Sequence, residues 1–261
     1  MTGRTRSGRE ARGLNAGVTW PLPPRELALG GDDVHVWCAA ADVAAGRRDV
    51  LGQTLSADER ARAERFVFPR DRDRFVVRRG LLRIILGRYL SLAPDRLRFD
   101  YGTRGKPAVA PGQGGARLCF NVSSSAGLVL YAVARGREIG VDLERIRRTG
   151  AEERIPEHFF SPREVATLRG LPPESQREAF FSCWTRKEAY VKGTGAGLAL
   201  GLDRFDVSLA PGEPAALLRT ADDAGEAARW ALQALAPGRG YVGAVAVEGR
   251  PRRLECWHWT E

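Results

Sequence analysis

The chain has 261 residues, 43% of them hydrophobic and 28% charged, with a formal net charge of +9. That length supports one large or two small domains with a substantial core, and no apolar run nears the roughly 18 residues of a membrane-spanning helix. The charge attracts polyanions, yet the 41 Lys+Arg are interspersed with 32 acids, unlike the continuous basic stripe of a nucleic-acid surface.

Residues 1–17 are basic and glycine-rich and read as a disordered tail, with no signal-peptide core near the N-terminus. Asp33–Ala40 alternates as a strand after a proline-rich segment. Ser56 with Glu59 three residues on is a capping box and opens a helix. A second helix spans about 71–90, with Phe75, Leu82, Ile85 and Leu86 as its core stripe. Short strands follow at 97–101, 118–122, 127–134 and 138–144. Ser161, Pro162 and Glu164 repeat the helix-start grammar. A longer helix over 174–192 stops at the glycine-rich run Gly193–Gly197. The remainder reads as antiparallel strands. Strands outnumber helices without regular alternation, which predicts an α+β fold, and no internal sequence repeat is evident.

Cys38, Cys119, Cys183 and Cys256 are widely separated and form no C-x-x-C pair, which argues against a zinc or iron–sulfur site. Cys38, Cys119 and Cys256 sit in apolar strand-like context and read as small buried hydrophobes. A reducing, cytoplasmic compartment follows as the simplest reading. His35, His158 and His258 show no triad or metal spacing and read as structural.

Arginine supplies almost all the positive charge. The only lysines are Lys106, Lys187 and Lys192, and two of them flank Glu188. Lysine is a compact charge whose pKa shifts and which can pass a proton, where arginine is a planar fork that stays charged. Asp142 and Glu144 are two apart on a strand and share a face; Trp184, Glu188 and Lys192 share a helical face. Three carboxylates converging from a strand and a helix suit Mg²⁺. The same residues also read as a solvated strand face and an i,i+4 helix pair worth about 0.2–0.5 kcal/mol. Lys106, between Gly105 and Pro107, is either a phosphate contact on a stiff loop or a surface turn. Ser123, Ser124 and Ser125 either cradle a phosphate or form a plain turn. Gly193–Gly197 ends a helix, whereas a dinucleotide loop opens one, and a P-loop lysine follows its glycines.

Taken in order, G-K-P at Gly105–Pro107, N-x-S-x-S at Asn121–Ser125, G-V-D-L-E at Gly140–Glu144, F-F-S-x-x-E from Phe159 and W-T-x-K-E-A-x-x-K from Trp184 resemble the Sfp-type 4'-phosphopantetheinyl transferases. The run covers about Arg65 to Phe205. The resemblance implies two similar α+β halves in one monomeric pseudo-dimer, residues 18–136 carrying coenzyme A contacts and 137–261 the metal site and catalytic helix, with the active site between them. It implies coenzyme A as donor, the serine hydroxyl of an acidic apo carrier protein as acceptor, and 3',5'-ADP as by-product. By motif, Asp142, Glu144 and Glu188 would hold Mg²⁺ (Mn²⁺ as the variant ion), and Glu188 would act as general base. Lys192 would face the pyrophosphate with Lys187 assisting, and Lys106, Arg62, Arg74, Ser123 and Ser124 would contact coenzyme A. Ser124 stands where the family pattern has histidine, which removes a cation from the phosphate contact. The competing reading is an arginine-rich protein that holds RNA or another polyanion without catalysis. It calls for aromatics interleaved with basic residues, and here the aromatics fall mostly at core-like positions.

Overall fold

A computed structural model of the chain describes residues 20–102, 104–113, 117–148, 150, 155–221, 223 and 225–260; the tail expected over residues 1–17 lies outside them. Strand β1 (Asp33–Ala40) leads into α1 (Ala45–Gln53), α2 (Ala57–Glu64) and the long α3 (Pro69–Leu90). A ribbon of β2 (Phe99–Tyr101) and β3 (Pro107–Val109) then precedes the hairpin β4 (Leu118–Ser125) and β5 (Leu128–Arg135). The order partly repeats. Strand β6 (Ile139–Arg145) leads into α4 (Pro156–Phe159), α5 (Pro162–Gly170) and the long α6 (Pro173–Thr194). The ribbon β7 (Phe205–Val207) and β8 (Leu217–Thr220), the short α7 (Glu226–Arg229), and β9 (Trp230–Leu235), β10 (Tyr241–Glu248) and β11 (Arg253–His258) complete the chain.

One sheet has the order β11-β1-β5-β4 and the other β6-β10-β9. The C-terminal strands were expected to be antiparallel throughout, but β11 runs parallel to β1. The chain returns to the first half and lies along its opening strand, so β11 crosses the 136/137 division. Helix α1 was not anticipated. Its N-cap is Ala44, which offers no capping side chain, and Leu51 is its one buried residue.

Strand alternation sorts side chains into layers. On β1, Trp37 and Ala39 face the α3 side, while Val34, Val36 and Cys38 face the second sheet. On β5, Val129, Tyr131 and Val133 join the first group; Leu130, Ala132 and Ala134 join the second. Ile139, Val141 and Leu143 of β6 meet them from the other sheet. The even-numbered positions of β6 therefore face α6, whose Phe180, Cys183, Ala189 and Tyr190 build a third cluster. The result is helix, sheet, sheet, helix. Among the described residues no helix is long and apolar enough to cross a membrane. All four thiols are free, and burial pushes those of Cys38 and Cys256 up to about 12.

The two halves are similar in what anchors their long helices. Helices α3 and α6 each have 22 residues, a proline in the first turn, and a left-handed residue closing the C-terminus, Ser91 and Gly195. Each is preceded by a capping box whose glutamate is buried. Glu59 takes the Ser56 N–H and receives Arg79 and Arg83 from α3, with Arg83 Nε at 2.6 Å. Glu164 takes the Ser161 N–H and receives Lys187 of α6 at 2.7 Å. Arg83 also donates to Pro94 O and Leu97 O, and Lys187 to Leu202 O and Phe205 O. In both halves a capping glutamate and one helix cation tie the helix to the segment that follows it.

Burial alone would raise the Glu59 carboxyl, but the hydrogen bond from Arg83 and the charge of Arg79 outweigh it and hold it below the ordinary glutamate range. A depressed folded-state pKa contributes stability above the unfolded value, and that contribution is lost as pH falls through the folded value. Glu59→Gln should therefore cost about 3–5 kcal/mol at neutral pH. In urea titrations the gap between wild type and variant should narrow below about pH 4.5; a gap that stays constant there would contradict the assignment.

Candidate active site

Strand β6 and helix α6 meet backbone to backbone. Gly140 lies on the β6 face that carries Asp142 and Glu144, and a Cβ at Gly140 would overlap Ala189 O and Gly193 N. The approach requires glycine. It brings the α6 face bearing Glu188 and Lys192 to the row of β6 carboxylates, two faces that the sequence marked out one element at a time.

Lys192 Nζ donates to Asp142 Oδ1 at 2.5 Å and to Ser123 Oγ at 3.3 Å. Ser123 Oγ donates to the same Asp142 oxygen at 2.8 Å, and Ser125 Oγ donates to Glu144 Oε2 at 2.9 Å. Asp142 Oδ2 is buried and has no hydrogen-bond partner. Burial lifts the Glu188 carboxyl above the ordinary glutamate range, the charge of Lys192 opposes that rise, and the charges of Asp142 and Glu144 add to it. Glu144 is raised in the same way, by burial first, with the Ser125 bond opposing and the Asp142 charge adding. The three acids thus share one field that one ammonium partly neutralises. Among the described residues, no three His, Cys, Asp or Glu side chains stand close enough to grip a metal as they are; Lys192 and Ser125 engage an oxygen of Asp142 and Glu144 respectively. The donor chemistry fits a hard cation, since all three groups are carboxylates and one buried oxygen is unpaired.

A cavity of about 530 Å³ opens beside Glu188 and Lys192, walled by Asn121, Pro107, Phe159 and His158. His158, expected to be structural only, thus borders the site, whereas His35 bonds Tyr89 in the core. Asn121 and Pro107 also wall a second cavity of about 550 Å³, lined by Arg62, Arg65, Arg78 and Arg79. Glu188 and Lys192 stand on one side of this partition, and Arg62, Arg65, Arg78 and Arg79 on the other.

The other expected site residues are placed unevenly. Lys187 is fully buried, its three donors on Glu164, Leu202 O and Phe205 O, so it anchors α6 and does not reach the acid cluster. Lys106 is also committed. It donates to Glu138, Ile139 O and Gly193 O at 2.9–3.2 Å and staples the β2–β3 turn to β6 and the end of α6. The fork of Arg74 is closed on Asp42 at 2.7 and 2.6 Å. Arg62 does line the arginine cavity, over the Phe75 ring. Ser124 points away from the acids and accepts from Arg78 Nη1 at 3.2 Å. Arg78 and Arg65 were not anticipated. Arg78 lies one helical turn beyond Arg74, and that spacing was the available signal.

The profile of the 4'-phosphopantetheinyl transferase superfamily matches residues 138–246, and that of the 4'-phosphopantetheinyl transferase N-terminal region matches residues 47–135. The 4'-phosphopantetheinyl transferase HetI of Nostoc sp. is 43% identical, over 92% of this chain and 98% of its own. A putative 4'-phosphopantetheinyl transferase of Synechocystis sp. is 36% identical over 68% of this chain and 70% of its own. The transferase Sfp of Bacillus subtilis is 32% identical over 59% and 66%. The chain belongs to the 4'-phosphopantetheinyl transferase superfamily.

Placement separates the two α6 lysines by experiment. Lys187→Met strands the buried Glu164 and should destabilise the fold by about 3–5 kcal/mol. Lys192→Met, whose side chain is 31% exposed and whose partner Asp142 keeps the Ser123 hydroxyl, should shift the melting temperature less while removing turnover. Circular dichroism melts of both variants, with rates beside them, test the distinction.

Proposed function

We propose that the chain transfers the phosphopantetheine arm of coenzyme A to a serine hydroxyl of an apo carrier protein, at the cluster of Asp142, Glu144, Glu188 and Lys192. The observation that carries the assignment is the meeting of these four side chains where β6 touches α6. The polyanion- or RNA-holding alternative has no support, because the family is one of transferases.

Asp142, Glu144 and Glu188 are the residues that would hold Mg²⁺, or Mn²⁺ in its place. That ion, when bound, neutralises pyrophosphate charge and orients the reacting phosphorus. Asp142 Oδ2 gives it a buried oxygen with no competing partner. Glu188 takes the proton of the carrier serine, its carboxyl opening on the cavity beside Lys192. The serine oxygen bonds to the phosphorus of the pantetheine phosphate as the bond to the bridging oxygen breaks, and 3',5'-ADP leaves. Lys192 offsets the charge that builds on the leaving group. On the far side of the Asn121–Pro107 partition, Arg62, Arg65 and Arg78 supply cations for the nucleotide phosphates. Arg78 beside Ser124 restores a positive charge where the family pattern has histidine.

Carrier proteins of acidic character suit a chain of net charge +9, since opposite charge raises the encounter rate. Both halves of the site come from one chain, which supports a monomeric enzyme, and its free thiols support a cytoplasmic one.

The decisive experiment incubates the enzyme with coenzyme A, Mg²⁺ and an apo carrier, then weighs the carrier. A gain of one phosphopantetheine that is lost in Glu188→Ala is the expected result; no gain with carriers of several types would refute the assignment. Arg78→Ala should raise the KM for coenzyme A about tenfold or more, the loss of one charge-assisted hydrogen bond. Ser124→His should leave that KM unchanged or lower it, and a large loss of activity would count against the place given to this turn.

A further inference from the structure

Strands β4 and β6 are the facing edges of the two sheets, and they do not form a main-chain ladder with each other. Side chains join them instead. Asn121 Oδ1 accepts from Val141 N–H at 3.0 Å and Ser125 Oγ from Arg145 N–H at 3.2 Å. Residues 121, 123 and 125 share one face of β4, and that face lies along β6. The two serines on it meet the two carboxylates. Ser123 is buried, and its Oγ donates to Asp142 Oδ1 while accepting from Lys192. Ser125 Oγ donates to Glu144 Oε2 while accepting from Arg145 N–H.

A serine hydroxyl has one proton to donate. At both residues that proton is committed to a carboxylate, and an approaching donor fixes the rotor from the other side. A phosphate cradle needs donors, and neither hydroxyl has one to spare. Ser124, between them, turns to the opposite face and to Arg78. One five-residue strand segment therefore divides two tasks by parity.

We infer that Ser123 and Ser125 are positioning residues for the metal-binding carboxylates, and that only Ser124 of the three serves the phosphates of coenzyme A. Ser123, with Lys192, occupies Asp142 Oδ1 and leaves Oδ2 directed at the cation. Ser125 sets the rotamer of Glu144. Groups that orient ligating carboxylates typically change metal affinity by about 10- to 100-fold when removed. The inference rests on the metal reading given under Proposed function.

The test titrates Mn²⁺ into the full-length protein without coenzyme A, reading free Mn²⁺ by electron paramagnetic resonance. Rates are then measured with metal and coenzyme A varied independently. Ser123→Ala and Ser125→Ala should each weaken Mn²⁺ binding by about tenfold or more, with the KM for coenzyme A at saturating metal unchanged. Ser125→Thr, which keeps the hydroxyl, should recover most of the Mn²⁺ affinity lost in Ser125→Ala. Ser124→Ala should behave in the opposite sense, raising the KM for coenzyme A and leaving Mn²⁺ binding alone. If wild type binds Mn²⁺ and the Ser123 and Ser125 alanine variants bind it equally well, the positioning role is overturned; a raised KM for coenzyme A would then return these serines to the phosphate cradle. If wild type itself binds no Mn²⁺, the metal reading falls and takes this inference with it.

Discussion

The contact between Gly140 and the backbone of α6 is the constraint on which the site depends. A helix packed on a sheet through ordinary side chains stands about 10 Å away, and groups on both surfaces then meet only through long side chains. Here a strand glycine touches Ala189 O and Gly193 N, so the short Asp142 reaches Lys192 directly. Gly193 needs its own missing Cβ, because Trp230 lies against it. Lys106 closes the same corner by donating to Ile139 O and Gly193 O, one carbonyl from each partner. The glycines admit the approach, and the lysine holds it.

Why three lysines stand in an arginine-rich chain has an answer in geometry. Each ammonium sits where oxygens converge from different directions: Lys106 among Glu138 and two carbonyls, Lys187 among Glu164 and two carbonyls, Lys192 between Asp142 and Ser123. A tetrahedral donor serves such a cage; a planar fork serves acceptors that lie in one plane. Arg83 shows the contrast at the position related to Lys187, its fork spread over Glu59, Pro94 O and Leu97 O. All three lysines hold α6; Lys106 and Lys192 both border the cavity beside Glu188, and of these two Lys192 is the one that donates to Asp142.

Much of this was legible in the chain. Both capping boxes were visible as S-x-x-E, because they are local by nature. That Asp142 and Glu144 share a strand face, and Glu188 and Lys192 a helix face, followed from the strand and helix periods; that the two faces meet came only from the family resemblance. Partner choice was not legible. Arg74 and Lys106 looked free for a ligand, and each is taken by an acid 32 residues away, Asp42 and Glu138, which only the tertiary fold brings near. The likeness of the two halves came from the family resemblance and not from a sequence repeat, for a related reason. The element they share is a buried glutamate with a helix cation, written once with arginine and once with lysine.

The site also lies where the fold cannot complete a backbone ladder. Two sheets abut at β4 and β6, and backbone N–H groups at such an edge still need acceptors. Asn121 and Ser125 supply them from side chains, which commits alternate β4 positions to polar residues. The positions between them open toward the arginines of α3, as Ser124 does toward Arg78. A continuous sheet would have satisfied the same N–H groups with carbonyls and left these positions to packing. The seam between the halves thus demands polar side chains for structural reasons, and it is there that carboxylates, a lysine and hydroxyls can be buried together with most of their hydrogen bonds made.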